Sequence, residues 1–251
     1  MEDAMEKTKI DWCESTWNPV TGCYHECPYC YARGIANRFS GHGEQWNDDK
    51  LHVLDNKIYA EESETAEPYP YGFVPTLHRY SLNKYEKKNG RTIFVCSMAD
   101  LFGSWVPDSW IEEVFAACDK APQHNYIFLT KNPARYTDLS RKGILRTGEN
   151  MWYGFSQTGE EELNLIDLEQ RVNFFVSAEP LLKPISVILG DWVIVGAETG
   201  RRKDKITPKR EWIENIVSDC KKYDIPIFMK SSLADIWGEP LIQEFPKQLR
   251  R

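Results

Sequence analysis

No run of roughly 18 consecutive apolar residues exists in the chain, so no segment reads as a membrane-spanning helix. The opening MEDAMEKTKIDW lacks the apolar stretch of a secretory signal, which predicts a cytoplasmic protein with no membrane partner. Positive charge is in deficit: 31 Lys and Arg stand against 38 Asp and Glu, a net −7. That argues against bulk, sequence-blind adhesion to nucleic acid and leaves room for a local basic patch. Internal repeats and low-complexity tracts are also missing. What is there is globular. At 251 residues and 41% hydrophobic, the chain can bury one sizeable core as a single domain over 1–251. Its nine Trp predict a ring-rich core or ligand pocket.

Seven cysteines without a secretory context are not a disulfide framework. Cys13, Cys96, Cys118 and Cys220 are scattered, whereas Cys23, Cys27 and Cys30 are packed into eight residues. Such a cluster suggests a metal ion or an iron–sulfur centre.

Short β-branched and aromatic runs alternate with longer amphipathic ones. Strands are expected at 16–22, 92–98, 126–131, 151–157, 173–179, 191–198 and 226–231, mostly near-continuous apolar runs of the kind buried on both faces. Helices are expected at 28–39, 76–88, 107–120, 133–142, 159–171 and 208–223. Alternation of this kind predicts an α/β fold with six to seven parallel strands, in a partial or full (β/α) barrel or an open doubly wound sheet. Residues 40–73 break the alternation and read as a long insertion after the first helix, either a lid or substrate loop or a surface excursion. The tail 232–251 is expected to wrap the body.

In either architecture ligands bind at the carboxyl ends of the strands. The residues there are Cys23–Cys30, then Cys96 to Asp100, Thr130 to Asn132, Ser156 to Thr158, Ser177 to Pro180, Gly196 to Gly200 and Lys230 to Ser232. Polar residues end most strands of any protein, so the weight lies in their coincidence at all seven.

The most specific signal is Cys23-Tyr24-His25-Glu26-Cys27-Pro28-Tyr29-Cys30, a Cys-x3-Cys-x2-Cys spacing between a strand and a helix. Thiolates are soft ligands suited to iron–sulfur clusters or zinc. Three of them hold three irons of a 4Fe–4S cube and leave the fourth open to a small ligand. A zinc knuckle would need a fourth ligand, with His25 and Cys13 as the candidates.

At these residues the chain resembles the radical S-adenosylmethionine (SAM) superfamily, whose signature has this spacing and an aromatic residue before the third cysteine, here Tyr29. The resemblance implies a full or partial βα barrel with the cluster loop after the first strand. It implies a 4Fe–4S cluster on Cys23, Cys27 and Cys30, with SAM as second cofactor on the open iron. A reducing partner of flavodoxin or ferredoxin type would supply an electron, and SAM would be cleaved to methionine and a 5′-deoxyadenosyl radical that abstracts a hydrogen atom from substrate. Lys9–Trp12, Thr16–Cys23, Phe94–Phe102, Trp192–Gly200 and Phe228–Lys230 are further similar to a family of short three-Cys-motif or phage-type proteins of unknown function.

The resemblance also implies cofactor-binding positions. These are Tyr29 beside the cluster, Ser97 and with it Asp100 after the second strand, Ser156 and Gln157 after the fourth, and Glu179 and Glu198 at later strand ends. The glycines the superfamily often carries after the second strand are missing here, and a salt-bridged strand-end carboxylate accounts equally well for either glutamate. Cys96 is a candidate hydrogen donor to a substrate radical, a role cysteine plays in the spore photoproduct lyases. A buried apolar cysteine is the plainer account.

Arg201, Arg202, Lys203, Lys205, Lys209 and Arg210 form a basic run after the sixth strand, and Lys131 and Lys230 end neighbouring strands. Lys131, Arg201, Arg202 and Lys230 are therefore candidates to bind a phosphate of a nucleotide or nucleic-acid substrate. Tyr59, Tyr69, Tyr71 and Phe73 of the insertion could stack bases or pack onto the barrel. Two readings follow: a radical SAM enzyme that modifies or repairs a nucleotide or nucleic acid, and a non-catalytic iron–sulfur or zinc module that recognises a partner.

Overall fold

The structure is a computed structural model that describes residues 8–40, 50–60, 64–159, 168, 171–185, 190–200 and 202–250. Its strands are β1 (Ser15–Trp17), β2 (Val20–Thr21), β3 (His52–Leu54), β4 (Thr76–His78), β5 (Thr92–Val95), β6 (Asn125–Thr130), β7 (Met151–Ser156), β8 (Asn173–Ala178), β9 (Trp192–Val195) and β10 (Ile227–Met229). Its helices are α1 (Tyr31–Phe39), α2 (Asp108–Asp119), α3 (Ala134–Arg141), α4 (Arg210–Lys222) and the short α5 (Ala234–Trp237). Seven strands form one parallel sheet in the order β1-β5-β6-β7-β8-β9-β10. This order follows the chain without reversal, so the sheet is a half-barrel, as in a partial (β/α) barrel, and is not doubly wound. β1 and β10 are its two edges and do not pair with each other, so no full barrel closes.

Side chains alternate between the two faces, and the alternation sorts the core. Val95, Phe128 and Tyr153 pack outward against Ile111, Val114 and Phe115 of α2, the helix face expected from their spacing. Val176, Val193 and Val195 pack outward with Ile213, Ile216 and Val217 of α4. Inward point Phe94, Ile127, Trp152, Phe175, Trp192, Ile194 and Phe228, gathered around Trp12. Each such buried side chain contributes roughly 2–3 kcal/mol. Gly154 is required here, since a Cβ on it would stand 2.3 Å from the Phe175 ring.

The N-terminal segment spans the gap between the edges. Ser231, just past β10, donates its N–H to Asp11 Oδ2 at 2.9 Å, and Glu14 donates its N–H to Thr92 O at 3.0 Å at the start of β5. The tail does more than wrap. Phe228 is bridged antiparallel to Gln243, and Met229 donates its N–H to Ile242 O at 2.7 Å, so the β10 edge is covered.

Three expectations need correction. The first strand, expected over 16–22, is two: β1 joins the main sheet, and β2 joins β4 and β3 in a separate three-stranded sheet of order β2-β4-β3. The helix expected at 76–88 is instead β4, a 3₁₀ turn at Arg79–Ser81 and further turns. The apolar spacing of Leu77, Tyr80 and Leu82 fitted a helix, but strand pairing won: Leu77 sits opposite Val20 and Val53. The insertion 40–73 contributes β3 to this sheet, with 41–49 and 61–63 outside the described residues. Of the helix expected at 159–171, all but Gly159, Leu168 and Arg171 lie outside the described residues.

Candidate functional site

The cysteine loop leaves the small sheet through Gly22, whose φ is +86°. A Cβ there would stand 2.4 Å from Val74 C and O, so only glycine admits this approach. Gly22 donates its N–H to Met98 O at 3.0 Å, and Cys23 donates its own to Phe73 O at 3.2 Å. Cys23 is thus held between the end of the insertion and the loop after β5. Glu26 turns the chain with φ +54°, and Cys30 donates its N–H to Cys27 O at 3.1 Å. Cys30 then caps α1, its Sγ accepting the Arg33 N–H at 3.4 Å. The Cys23 Sγ accepts the His25 N–H at 3.5 Å. Burial pushes the Cys23 thiol up to about 12 and raises Cys27, where the Lys131 ammonium opposes it. Such thiols ionise readily only beside a strong positive partner.

The three thiols border one cavity of about 230 Å³, just under the usual range for a small-molecule site. It opens where the parallel strands end. Trp12, Phe94 and Leu129 give it an apolar wall; Ser156, Ser177, Glu179, Glu198 and Lys230 give it a polar one. Ser156 and Ser177 are register partners on β7 and β8, so their buried hydroxyl groups stand side by side. Tyr29, Cys96, Ser97 and Lys131 also border the cavity. Gln157 and Arg202 do not. Gln157 follows Ser156 by one residue and so turns to the opposite side. Arg201 lies outside the described residues.

The charged candidates are paired. Lys230 donates to Glu179 Oε1. Arg202 grips Glu198 with two bonds, Nε to Oε1 at 2.7 Å and Nη2 to Oε2 at 2.8 Å, which holds the buried carboxyl below the usual carboxylate range. Lys131 sits over the Tyr29 ring at 5.2 Å. Ser97 Oγ bonds to Asn18 Oδ1 at 3.1 Å, and its carbonyl accepts from the Tyr31 hydroxyl at 2.7 Å. Cys96 has φ +59° and packs among Trp17, Val20 and Val95; burial pushes its thiol up to about 12.

Asp100 is the residue whose role sequence reasoning missed. Its buried carboxylate accepts from Thr130 Oγ1 at 2.7 Å, from the Lys131 N–H at 2.9 Å and from the Phe102 N–H at 3.0 Å, and its Oδ2 lies 2.7 Å from His25 Nε2. His25, considered above as a zinc ligand, faces Asp100 and stands edge-on to Trp105 at 4.8 Å. The acidic residue at a strand end was visible; that two distant segments, at His25 and at Thr130–Lys131, converge on it was not.

Among the described residues no three His, Cys, Asp or Glu side chains converge as ligands of a single metal ion. A polynuclear cluster makes a different demand, one thiolate per iron. The donor set suits it: three thiols bordering one cavity, two of them already accepting backbone N–H groups. A family described as protein of unknown function (DUF5131) matches residues 7–245, and the chain belongs to that family. No curated protein and no solved structure matches.

Proposed function

We propose that this member of the family is a radical SAM enzyme acting on a nucleotide or nucleic-acid substrate. The observation that carries the reading is that Cys23, Cys27 and Cys30, in their Cys-x3-Cys-x2-Cys spacing, border a single cavity at the carboxyl ends of a parallel half-barrel. These three residues would hold a 4Fe–4S cluster, which when reduced by one electron supplies the reductive cleavage of SAM to a 5′-deoxyadenosyl radical. The chain's own residues do the rest. Gly22 and Asp100 fix the loop, and the N–H groups of His25 and Arg33 stabilise thiolate charge. Trp12, Phe94 and Leu129 keep water from the cavity's apolar wall. Ser156, Ser177 and the Glu179–Lys230 pair present hydrogen-bonding groups to a bound ligand. Lys131 is the candidate for a substrate phosphate, because Arg202 is turned to Glu198 and Lys230 to Glu179.

The test is anaerobic reconstitution with iron and sulfide, followed by SAM and dithionite. 5′-Deoxyadenosine is expected with the intact chain and not with the Cys23/Cys27/Cys30→Ala variant. Loading of iron without 5′-deoxyadenosine, and without a SAM-induced change in the cluster's EPR spectrum, would overturn the reading. Stoichiometric zinc in place of iron would favour the partner-binding module.

A further inference from the structure

The cationic side chains around the cysteine loop are mostly committed. Lys230 donates to Glu179, and Arg202 grips Glu198. Arg33 donates through Nη2 to the Cys23 carbonyl at 3.3 Å and stands over the Phe73 ring at 5.0 Å, outside the cavity lining. Lys131 is placed differently. It follows β6 directly, and its N–H donates to Asp100 Oδ2 at 2.9 Å, the oxygen that also faces His25 Nε2. The Lys131 backbone is therefore tied to the cysteine loop through one carboxylate. Its half-buried side chain borders the same cavity as the three thiols. The ammonium pairs with no carboxylate among the described residues and lies 5.2 Å from the centre of the Tyr29 ring. Tyr29 stands between Cys27 and Cys30 in the loop. Burial raises the Cys27 thiol, and the largest influence opposing that rise is the Lys131 ammonium, with a hydrogen bond from the Tyr29 side chain acting in the same sense.

We propose that Lys131 is a positioning residue of the cysteine site, whose ammonium offsets the negative charge of a cluster held there and so eases its one-electron reduction. The inference rests on the reading that Cys23, Cys27 and Cys30 hold a 4Fe–4S cluster. Three thiolates bring negative charge to the iron–sulfur core, and the added electron increases it. Net charge around a cluster is one of the levers that set its potential. A cation half-buried beside the site is screened less than one in bulk solvent, so its field counts there. The Tyr29 ring face attracts the ammonium and fixes where it stands. Asp100 contributes by taking the Lys131 N–H and leaving the ammonium to the loop. The same ammonium is the candidate for a substrate phosphate, so reduction and phosphate binding draw on one charge.

The experiment is an EPR-monitored redox titration of the anaerobically reconstituted chain, with dithionite as reductant and no SAM present. Lys131→Met keeps an alkyl stem over Tyr29 and removes the charge, and its midpoint potential should lie below that of the unaltered chain. Lys131→Gln repeats the charge removal with a polar head. Lys131→Glu should lower the midpoint further, and Lys131→Arg should retain it. Lost packing would not order the variants by charge. Equal midpoints in the unaltered chain, Lys131→Met and Lys131→Glu overturn the proposal. So does a midpoint that falls as far with Lys131→Arg as with Lys131→Met, because packing and not charge then sets it. Failure of the unaltered chain to load iron overturns the cluster reading and this role with it. Iron loading without 5′-deoxyadenosine on addition of SAM overturns only the radical SAM chemistry, and the charge series still decides the role of Lys131.

Discussion

His25 Nε2 lies 2.7 Å from Asp100 Oδ2, and this contact ties the cysteine loop to the ends of two sheet strands at once. Asp100 follows β5, and the same carboxylate accepts from Thr130 and Lys131 at the end of β6. Asp100→Asn should leave donor facing donor and cost about 1–3 kcal/mol of stability, the range for a buried polar group left unsatisfied. The specific readout is the loop. In metal-free protein the three thiols should react faster with a thiol reagent, and less iron should load on reconstitution. His25→Phe keeps a ring against Trp105 and should reproduce the loading defect at smaller cost in stability. Full iron content and an unaltered EPR spectrum in both variants would reduce the contact to an ordinary surface tie.

Gly22 makes the second point of control. A methyl group there meets the Val74 backbone at 2.4 Å and must also accept φ +86°. Gly143 has a comparable φ of +69°, yet nothing stands within 4 Å of its absent Cβ. Gly143→Ala should therefore cost about 1 kcal/mol, the strain of a left-handed alanine. Gly22→Ala should cost clearly more in urea unfolding and should impair iron loading as well. Equal costs would mean that the Val74 segment yields easily and does not fix Cys23.

Local features of this chain are readable in its sequence, and features made by distant contacts are not. The Cys-x3-Cys-x2-Cys motif and the buried strands were legible because spacing and hydrophobic runs are local. β5 and β7 through β9 fall inside the expected segments, β6 starts one residue before its own, and α2 buries Ile111, Val114, Phe115 and Cys118 as their period required. The small sheet was not legible, since Thr76–His78 becomes a strand only through partners more than 20 residues away at Val20–Thr21 and His52–Leu54. The site divides the same way. Ser156, Glu179, Glu198 and Lys230 sit at strand ends and were found by position. The pairing of Glu198 with Arg202 and the convergence on Asp100 depend on tertiary contacts that no local pattern records.

His78 links this small sheet to pH. It is buried on β4, its Nε2 lies 2.8 Å from Thr21 Oγ1, and burial pushes its pKa down to about 4. The unfolded chain, with an ordinary histidine near 6.5, binds the proton first, so stability should fall as pH drops from about 6.5 toward 4. The slope from this one group is at most about 1.4 kcal/mol per pH unit. His78→Gln keeps a hydrogen-bonding side chain without the titration and should flatten that part of the curve relative to the unaltered protein. Parallel curves would show that other groups carry the acid sensitivity.

Trp12 tests whether the N-terminal segment is part of the barrel or a covering. Its ring stands 4.7 Å from Phe94, 6.4 Å from Phe175 and 6.2 Å from Trp192, so one residue outside the sheet touches three of its strands. It also borders the cavity. Trp12→Ala should cost about 3–5 kcal/mol, as large aromatic truncations in a core do. Its indole Nε1 is buried without a hydrogen-bond partner among the described residues. Trp12→Phe therefore removes a donor that nothing satisfies along with part of the ring, and its cost should be well below that of alanine. The cavity reports separately: alanine should deepen it and admit a bulkier apolar probe, while phenylalanine should not. If alanine proves as mild as phenylalanine, the segment from Ile10 to Glu14 only covers the half-barrel, and Phe94, Phe175 and Trp192 close its interior by themselves.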